Sequence, residues 1–425
     1  MSSDAVADIP APPHVQIESM LSRKFGKETV NYFSSSPLNR VSFLRTDAPF
    51  LSAALKHPST RFLLFNNLFP LVRTPSEIFY ASYKDVSPLI PADIYDHSES
   101  DALRNFNSSI TTPHLIFLGL DESRQPETGS FTHKIYKGTP YFALDVTPRG
   151  TIADTARTII SHLESQGLTF HQSRVVTALP ADVAAIYAQA RALLDWNTRN
   201  TYCGTCGHLT LSVNAGTKRA CPPHDHALAA STGEQPAPRP PCSTRTTISN
   251  LSFPRTDPTI IVAVLSHDGQ RVLLGRQKRW PPYWYSTLAG FIEPAESVED
   301  AVRREVWEES GVVLSRVVVH STQPWPYPAN LMIGAVAQVA TPENEAISLQ
   351  HDPELEDARW FPIAEVEEAL RVGTSDLGGK PGPEYKEGGL RLPPKTAIAH
   401  QLILAVVRGE FWGGMGAANG NGAKM

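Results

Sequence analysis

The stretch GFIEPAESVEDAVRREVWEESG, from Gly290 to Gly311, decides the fold of this chain because it combines the signals of a bounded helix with an unusual crowding of carboxylates. Ser297, followed three residues later by Asp300, is typical of a helix N-terminus, and a glycine such as Gly311 commonly ends a helix. Four apolar residues recur at helical spacing and predict the face that packs on a core: Val298, Ala301, Val302 and Val306.

A second face of this predicted helix carries like charges. Glu305, Glu308 and Glu309 stand at positions i, i+3 and i+4, so their side chains project together. A solvated acidic face is the ordinary interpretation of such a charge run. Grouped carboxylate oxygens are also the ligands that Mg²⁺ and Mn²⁺ prefer, and a divalent cation removes the repulsion between them.

The spacing of the fixed positions around these glutamates resembles the Nudix box. Gly290 is followed after five residues by Glu296, after seven more by Arg304-Glu305-Val306, and then, each after a gap of one residue, by Glu308-Glu309 and Gly311-Val312. The sequence resembles Nudix hydrolases over roughly residues 256–412. This resemblance implies an α/β/α sandwich in which Glu305, Glu308 and Glu309 bind catalytic Mg²⁺ or Mn²⁺. It also implies that Arg304 fixes these glutamates and that Glu296 helps to close the loop before the helix.

The chain has four cysteines, which lie in one short part of the sequence: Cys203, Cys206, Cys221 and Cys242. A Cys-x-x-Cys knuckle with a third cysteine fourteen residues further on suits a zinc ribbon, with residues 222–241 as a loop inserted before the fourth ligand. Four protein ligands leave no open position, so this Zn²⁺ would be structural. Two alternatives stay open: His224 or His226 replaces Cys242, or the thiols are unrelated buried cysteines or a redox pair.

A proline-rich segment after the helix narrows the substrate class. TQPWPYPANLM, residues 322–332, resembles the SQPWPFPxS motif of the NADH pyrophosphatase subfamily, from which it departs at Thr322, Tyr327 and Asn330. Prolines on both sides of Trp325 stiffen the segment, which could present the indole to a nicotinamide or adenine ring. The alternative is that Trp325 merely packs a proline-rich turn.

The resemblance to this subfamily covers nearly the whole chain and implies further site residues. Members carry an N-terminal domain and a zinc ribbon before the Nudix domain, and their ring pocket is completed across a homodimer interface. By position in the motifs, Phe253, Phe291, Trp325, Asn330 and Met332 would line that pocket, and Ala399 would contact the substrate. Glu354 would be a further metal ligand, unless it is an ordinary exposed loop acid.

The reaction implied by the resemblance is metal-dependent hydrolysis of the pyrophosphate bond of NADH or NAD⁺, giving AMP and reduced or oxidised nicotinamide mononucleotide. Removal of an NAD cap from RNA is an alternative, since the same bond would be cut. A second alternative is a zinc-ribbon binding module with an inactive Nudix domain. That alternative predicts a broken glutamate cluster, whereas every glutamate of the box is present.

Patterns along the 425 residues predict an α+β multidomain protein. The predicted parts are a flexible arm over 1–27, an N-terminal NADH-pyrophosphatase-like domain over 28–195, the zinc ribbon over 196–255, the Nudix domain over 256–412 and a flexible tail over 413–425. Apolar runs such as RFLLFNNLF, HLIFLGL and TDPTIIVAVL predict strands, and ADVAAIYAQARALLDW and AIAHQLILAVVRGEFW predict helices. No internal repeat is evident.

Composition and termini limit the partners. The net charge of -5 and the lack of a Lys or Arg block argue against a duplex-DNA or polybasic membrane surface, and no apolar run is long enough to span a bilayer. The first residues show no secretory signal, which predicts a reducing compartment. The last three, Ala423-Lys424-Met425, fit a permissive peroxisomal address, without which we expect a cytoplasmic protein.

Overall fold

A computed structural model describes residues 29–123, 129–173, 175–227, 236, 238–247, 249–351 and 354–409. The arm predicted over 1–27 and the tail predicted over 413–425, with its targeting tripeptide, lie outside the described residues. The chain divides into two compact units. The C-terminal unit contains residues 29–35, 256–325 and 330–409, and the N-terminal unit contains residues 36–255 and 326–329. None of the helices within these described ranges has the length and apolar character needed to cross a membrane.

The N-terminal unit is built on a mixed sheet. Its strands are β1 (Leu38–Asn39), β2 (Arg61–Asn66), β3 (Phe69–Thr74), β4 (Glu77–Ile78), β5 (Tyr80–Ala81), β6 (Leu115–Asp121), β7 (Phe131–His133), β8 (Tyr136–Asp145) and β9 (Thr169–Phe170). The main path through the sheet runs β1-β6-β8-β2-β3-β4, with β2 and β8 parallel. The helices are α1 (Ala48–Lys56), α2 (Tyr83–Val86), α3 (Glu99–Arg104), α4 (Ala153–Ser165), α5 (Ala181–Arg199) and α6 (Ser243–Thr246).

Helices cover both faces of this sheet because its central strands are apolar on both sides. On one face, α1 and α4 pack on a core in which Phe62 and Phe142 stack with ring centroids 5.6 Å apart. On the other face, Tyr187 of α5 stacks on Phe65 at 6.0 Å. A separate hairpin of β10 (Leu211–Val213) and β11 (Lys218–Ala220) follows α5.

The C-terminal unit contains a second mixed sheet. Its strands are β12 (Asp257–Leu265), β13 (Arg271–Arg276), β14 (Leu288–Phe291), β15 (Leu314–Trp325), β16 (Asn330–Val339) and β17 (Asp357–Pro362). They run in the order β15-β16-β12-β13-β17, with β14 also paired to β12, and β12 and β16 are parallel. The helices are α7 (Val298–Ser310), α8 (Ile363–Val372) and α9 (Ile398–Arg408).

Strand β12 shows why this unit has three layers. Ile260, Val262 and Val264 point to the face on which α7 packs. The alternate residues Ile261 and Ala263, with Leu265, point to the face covered by α8 and α9. The period of two along an entirely apolar strand therefore builds two cores, and the predicted α/β/α layering is confirmed.

Two features differ from the sequence prediction. Residues 29–35, which the prediction assigned to the N-terminal domain, pack within the C-terminal unit. Helix α8 was not predicted, because no polar linker separates it from β17. Pro362 is both the last residue of β17 and the N-cap residue of α8.

Candidate active site and metal centres

The carboxylate helix α7 has the ends that the sequence predicts. The Ser297 hydroxyl accepts a hydrogen bond from the Asp300 backbone N–H at 3.2 Å, and Gly311 ends the helix in the left-handed region with φ 73°. Ala301, Val302 and Val306 are fully buried against the sheet. The opposite side of the helix is therefore free to present its charged residues.

Arg304 is the centre of the polar network on this helix. Its guanidinium forms a two-pronged contact with the Glu296 carboxylate, through Nε at 2.7 Å and Nη2 at 2.8 Å. These hydrogen bonds from Arg304 lower the pKa of Glu296. Glu296 also accepts a hydrogen bond from the Glu293 backbone N–H at 2.9 Å, so it closes the loop before α7.

The same guanidinium brings two of the predicted metal ligands together. Arg304 Nη1 donates to Glu305 Oε1 and to Glu308 Oε2, both at 2.9 Å. Burial raises the pKa of Glu305, although the hydrogen bond from Arg304 opposes this shift. A fifth hydrogen bond, from Arg304 Nη2 to the Phe291 carbonyl oxygen at 2.9 Å, ties the helix to the end of β14.

Gly290 admits the Glu305 carboxylate to the surface of the sheet. A Cβ atom at position 290 would lie 1.9 Å from Glu305 Cδ and 2.0 Å from Oε2, far inside contact distance. Only glycine allows this approach. The Glu305 carboxylate thus lies beside the Glu308 carboxylate, and such a set of hard oxygen donors fits Mg²⁺ or Mn²⁺.

The other two predicted metal ligands, Glu309 and Glu354, differ from each other in their exposure to solvent. Glu309 is 5% exposed, whereas Glu354 is exposed in the segment before β17. Across the described part of the chain, the cysteines are the one group of three or more potential metal ligands whose donor atoms all lie within 4.8 Å of one another. The roles of Glu309 and Glu354 as metal ligands stay predictions.

Strand register gathers four of the predicted ring-pocket residues at one end of the sheet. Phe291, Thr259 and Met332 are paired across β14, β12 and β16, and Trp325 is paired with Asn330 at the end of the β15–β16 ladder. Met332 packs on the core below α8 and α9, and paired side chains share a face, so these residues lie on that face. Asn330 Nδ2 donates to Thr259 Oγ1 at 3.2 Å, a contact that the sequence did not indicate.

Two other predicted substrate contacts are not part of this strand pairing. Ala399, a residue of α9, is 3% exposed and belongs to the core on which Met332 packs, and Phe253 is an exposed residue of the N-terminal unit. Both roles stay predictions.

Tyr327, which stands where the family motif has phenylalanine, makes use of its hydroxyl. Its oxygen accepts a hydrogen bond from the Val176 backbone N–H at 2.8 Å, and the Arg191 guanidinium lies 4.6 Å from its ring centroid. All of these residues belong to the N-terminal unit. The departure from the motif is thus accommodated by a polar partner.

The four cysteines converge as the spacing predicts. Cys203 Sγ lies 3.7 Å from Cys242 Sγ, and Cys206 Sγ lies 3.5 Å from Cys221 Sγ. Sulfurs at 2.3 Å from a tetrahedral ion are about 3.8 Å apart, so the cluster fits Zn²⁺, whereas a disulfide requires about 2.05 Å. Burial opposes ionisation of Cys203, yet its hydrogen bonds with Thr244 and with two backbone N–H groups lower its pKa to about 6.

Cys242 completes this cluster because the two ends of the inserted segment, at residues 224–225 and 238–239, are joined to each other. His224 pairs with Pro238 in an isolated bridge, and Arg239 Nη2 donates to Asp225 Oδ2 at 2.7 Å. The rival ligand His226 instead contacts the Arg104 carbonyl oxygen through Nε2 at 3.0 Å. The geometry therefore favours the four-cysteine set.

Gln323 is a buried polar residue whose importance the sequence analysis missed. It is 1% exposed, and its amide bonds to three backbone groups of the C-terminal unit. The only signal in the sequence is an amide within a strand that ends in an aromatic, proline-rich motif.

Comparisons with known proteins match a family model to each of the two sheet-containing regions. Residues 255–377 match the family model of the NUDIX domain, and residues 59–196 match the model described as NADH pyrophosphatase-like rudimentary NUDIX domain. The three-layered unit and the Arg304 network thus define a Nudix hydrolase, and the protein is an enzyme.

Three relatives extend this similarity to most of the chain. The NAD-capped RNA hydrolase of Schizosaccharomyces pombe is 34% identical over 88% of this chain and 92% of its own. The NAD-capped RNA hydrolase NUDT12 of Homo sapiens is 35% identical over 90% of this chain and 74% of its own. The NAD(P)H pyrophosphatase NUDT13, mitochondrial, of Homo sapiens is 29% identical over 80% of this chain and 82% of its own. The chain belongs to the Nudix hydrolase family, in the NADH pyrophosphatase-like group, and the resemblance drawn from the motifs is confirmed.

Proposed function

We propose that this enzyme hydrolyses the pyrophosphate bond of NAD, both as free NADH or NAD⁺ and as the NAD cap of RNA. The observation that carries the proposal is the double role of Phe291. Its carbonyl oxygen accepts a hydrogen bond from Arg304, beside the glutamates, and its side chain is 58% exposed on the face that Trp325 and Met332 share. A dinucleotide whose ring contacts the Phe291 side chain could extend past the end of β14, so that its diphosphate reaches the glutamates of α7 on the other face of the sheet.

The glutamates of α7 would hold the catalytic ions. Glu305 and Glu308 present carboxylate oxygens on one side of the helix, and the bound Mg²⁺ or Mn²⁺ would neutralise the diphosphate and lower the pKa of the attacking water. Arg304 keeps these carboxylates in position. Hydrolysis adds the water oxygen to one phosphorus and breaks the bridging P–O bond. Free NADH or NAD⁺ then yields AMP and a nicotinamide mononucleotide, whereas the NAD cap yields a nicotinamide mononucleotide and RNA with a 5′-monophosphate.

The NAD cap of RNA is favoured as a substrate by a specific observation. Relatives called NAD-capped RNA hydrolases are 34–36% identical over 88–90% of this chain. Free NADH is supported by the motif around Trp325 and by the NAD(P)H pyrophosphatase relative. Both substrates present the same bond to the same site.

The test compares substrates and two matched variants. The purified protein is incubated with NADH, NAD⁺, ADP-ribose, a dinucleoside polyphosphate and NAD-capped RNA in Mg²⁺ or Mn²⁺, and the products are resolved by chromatography. Glu308→Gln should lower kcat by about a hundredfold or more, because one metal ligand is lost, whereas Glu299→Gln on an exposed part of the same helix should leave it unchanged. Faster cleavage of ADP-ribose or the dinucleoside polyphosphate than of any NAD substrate would overturn the proposed specificity.

Three further properties belong to this proposal. The four cysteines hold a structural Zn²⁺, which the sulfur spacing supports. The protein is a homodimer, which light scattering after gel filtration would test. It is directed to peroxisomes by Ala423-Lys424-Met425, which a fluorescent fusion lacking these residues would test.

A further inference from the structure

Residues 29–35 contact the strand that carries Trp325. Asn31 Nδ2 donates to Ser321 Oγ at 3.1 Å and to the Thr322 carbonyl oxygen at 2.9 Å. The Phe33 ring meets the Trp325 ring in a T-shaped arrangement, with centroids 5.9 Å apart and an interplanar angle of 77°. The contacts therefore extend along the C-terminal part of β15, from Ser321 to Trp325.

Gln323 links this segment to the last helix. Its Nε2 donates to the Tyr32 carbonyl oxygen at 3.0 Å and to the Thr396 carbonyl oxygen at 2.8 Å, while its Oε1 accepts from the Ile398 N–H at 2.9 Å. The amide thus joins the segment to the residues at the start of α9. A buried amide with these hydrogen bonds fixes its neighbours, because a buried polar group that loses its partner is strongly destabilising.

The backbone of the segment is held in a costly conformation. Phe33 and Ser35 have φ values of 71° and 57°, in the left-handed region that L-residues other than glycine seldom adopt. Asn31, Tyr32 and Phe33 are each 3% exposed or less. Such strain persists only where surrounding contacts determine the structure, and it is concentrated at functional sites.

We propose that residues 29–35 position the ring-binding end of the sheet: Asn31 and Phe33 hold Trp325 in place, and Gln323 locks that end of β15 to the start of α9. The inference rests on the proposed function, in which the face shared by Phe291, Trp325 and Met332 receives a ring of NAD. Asn31, Phe33 and Gln323 are positioning residues, since they act through the strand. Their loss should weaken substrate binding and leave the glutamate helix, on the opposite face, able to work.

Two truncations of the full chain test this inference. Removal of residues 1–28 is the control, and removal of residues 1–35 deletes the positioning segment as well. We measure kcat and KM for NADH in Mg²⁺, and the Kd of NADH by its fluorescence with Ca²⁺ in place of Mg²⁺. The longer truncation should raise KM and Kd about tenfold or more relative to the shorter one and change kcat less than about threefold.

Point variants make the test independent of any failure of the truncated chain to fold. Gln323→Met keeps the length of the side chain without its hydrogen bonds and should raise KM and Kd in the same way. Gln338→Met is the matched control, because Gln338 donates to the His267 carbonyl oxygen at 2.9 Å from the far part of the neighbouring strand β16. Phe33→Tyr retains an aromatic ring and should preserve more NADH affinity than Phe33→Leu.

The outcomes separate the two proposals. If wild-type protein neither binds nor cleaves NADH, NAD⁺ or NAD-capped RNA, the proposed function fails and takes this inference with it. If the wild type binds NADH and Gln323→Met binds it equally well, only the positioning role is overturned. A Gln323→Met variant that loses kcat and melting temperature with no change in KM would likewise reduce Gln323 to a role in stability.

Discussion

Gly290 shows how a single residue sets the geometry of the catalytic helix. Its lack of a side chain lets the Glu305 carboxylate lie against β14, and its neighbour Phe291 supplies the carbonyl oxygen that Arg304 binds. The resemblance to the Nudix box identified Gly290 as one of its fixed positions. The reason, a close approach of a side chain from another element, can be seen only in the structure.

Gly290→Ala is expected to lower kcat by about a hundredfold, because the added Cβ would displace the Glu305 carboxylate by more than an ångström and a misplacement of that size is costly in catalysis. Gly378→Ala is the matched control, since a Cβ at Gly378 meets no atom within 4 Å. Steady-state kinetics and thermal melting of both variants provide the measurement. Normal kinetics in Gly290→Ala would contradict the proposed position of Glu305.

Glu296 gives a prediction about pH. Its pKa is lowered in the folded protein by Arg304, so the ionised form stabilises the fold. This stabilisation is fully present above the unfolded-state pKa of about 4.3 and is lost as the pH falls through the folded-state pKa. The difference in free energy of unfolding between wild type and Glu296→Gln should therefore be constant from pH 7 to about 5 and shrink below about 4.3. Urea unfolding at a series of pH values tests this, and a difference that stays constant down to pH 3 would refute it.

Helix α7 illustrates what local sequence determines at the scale of an element. Its capping residues, apolar face and C-terminal glycine are local signals, and all are confirmed. The same holds for the long strands β2, β6 and β12, which are continuous apolar runs. Strands β4, β5 and β9 were not predicted, because two residues are too few to show a period. The pairing of β12 with β16 was also beyond local signals, since partner choice depends on tertiary packing.

Ser297→Ala is expected to lower the free energy of unfolding by about 1 kcal/mol, because the first turn of α7 loses the hydroxyl that accepts the Asp300 N–H. Ser297→Thr keeps a capping oxygen and should recover most of the loss. Chemical denaturation of the three proteins measures the effect. Equal stabilities of the alanine and threonine variants would contradict a capping role.

At the scale of the molecule, the two units show where sequence patterns fall short. Both match Nudix-type family models, yet no repeat was evident in the sequence, because a core position requires only an apolar residue of suitable size. The attachment of residues 29–35 to the C-terminal unit also escaped prediction. It depends on hydrogen bonds from Asn31 to Ser321 and Thr322, which lie 290 and 291 positions later in the chain.

The four-cysteine cluster leads to a prediction about zinc binding by the N-terminal unit. Cys242→Ser should abolish stoichiometric zinc and lower the melting temperature, because the site loses a ligand that the fold brings within 3.7 Å of Cys203. His226→Ala should retain zinc, since its ring contacts a carbonyl oxygen instead. Elemental analysis of both purified variants decides the matter. Loss of zinc in His226→Ala with retention in Cys242→Ser would restore histidine as the fourth ligand.

The attachment of residues 29–35 also has a consequence for synthesis on the ribosome. The segment emerges long before the residues that it binds, which follow 290 positions later; at 5–20 residues per second this interval is about 15–60 s. The intervening chain, including the whole mixed sheet of the N-terminal unit, can fold during this delay. Strand β12 must likewise wait for β16 before the sheet can close. The nascent enzyme therefore completes the ring-binding end of its sheet among its last steps, and a pause or truncation before residue 325 would leave the segment without the complete strand β15 that it binds.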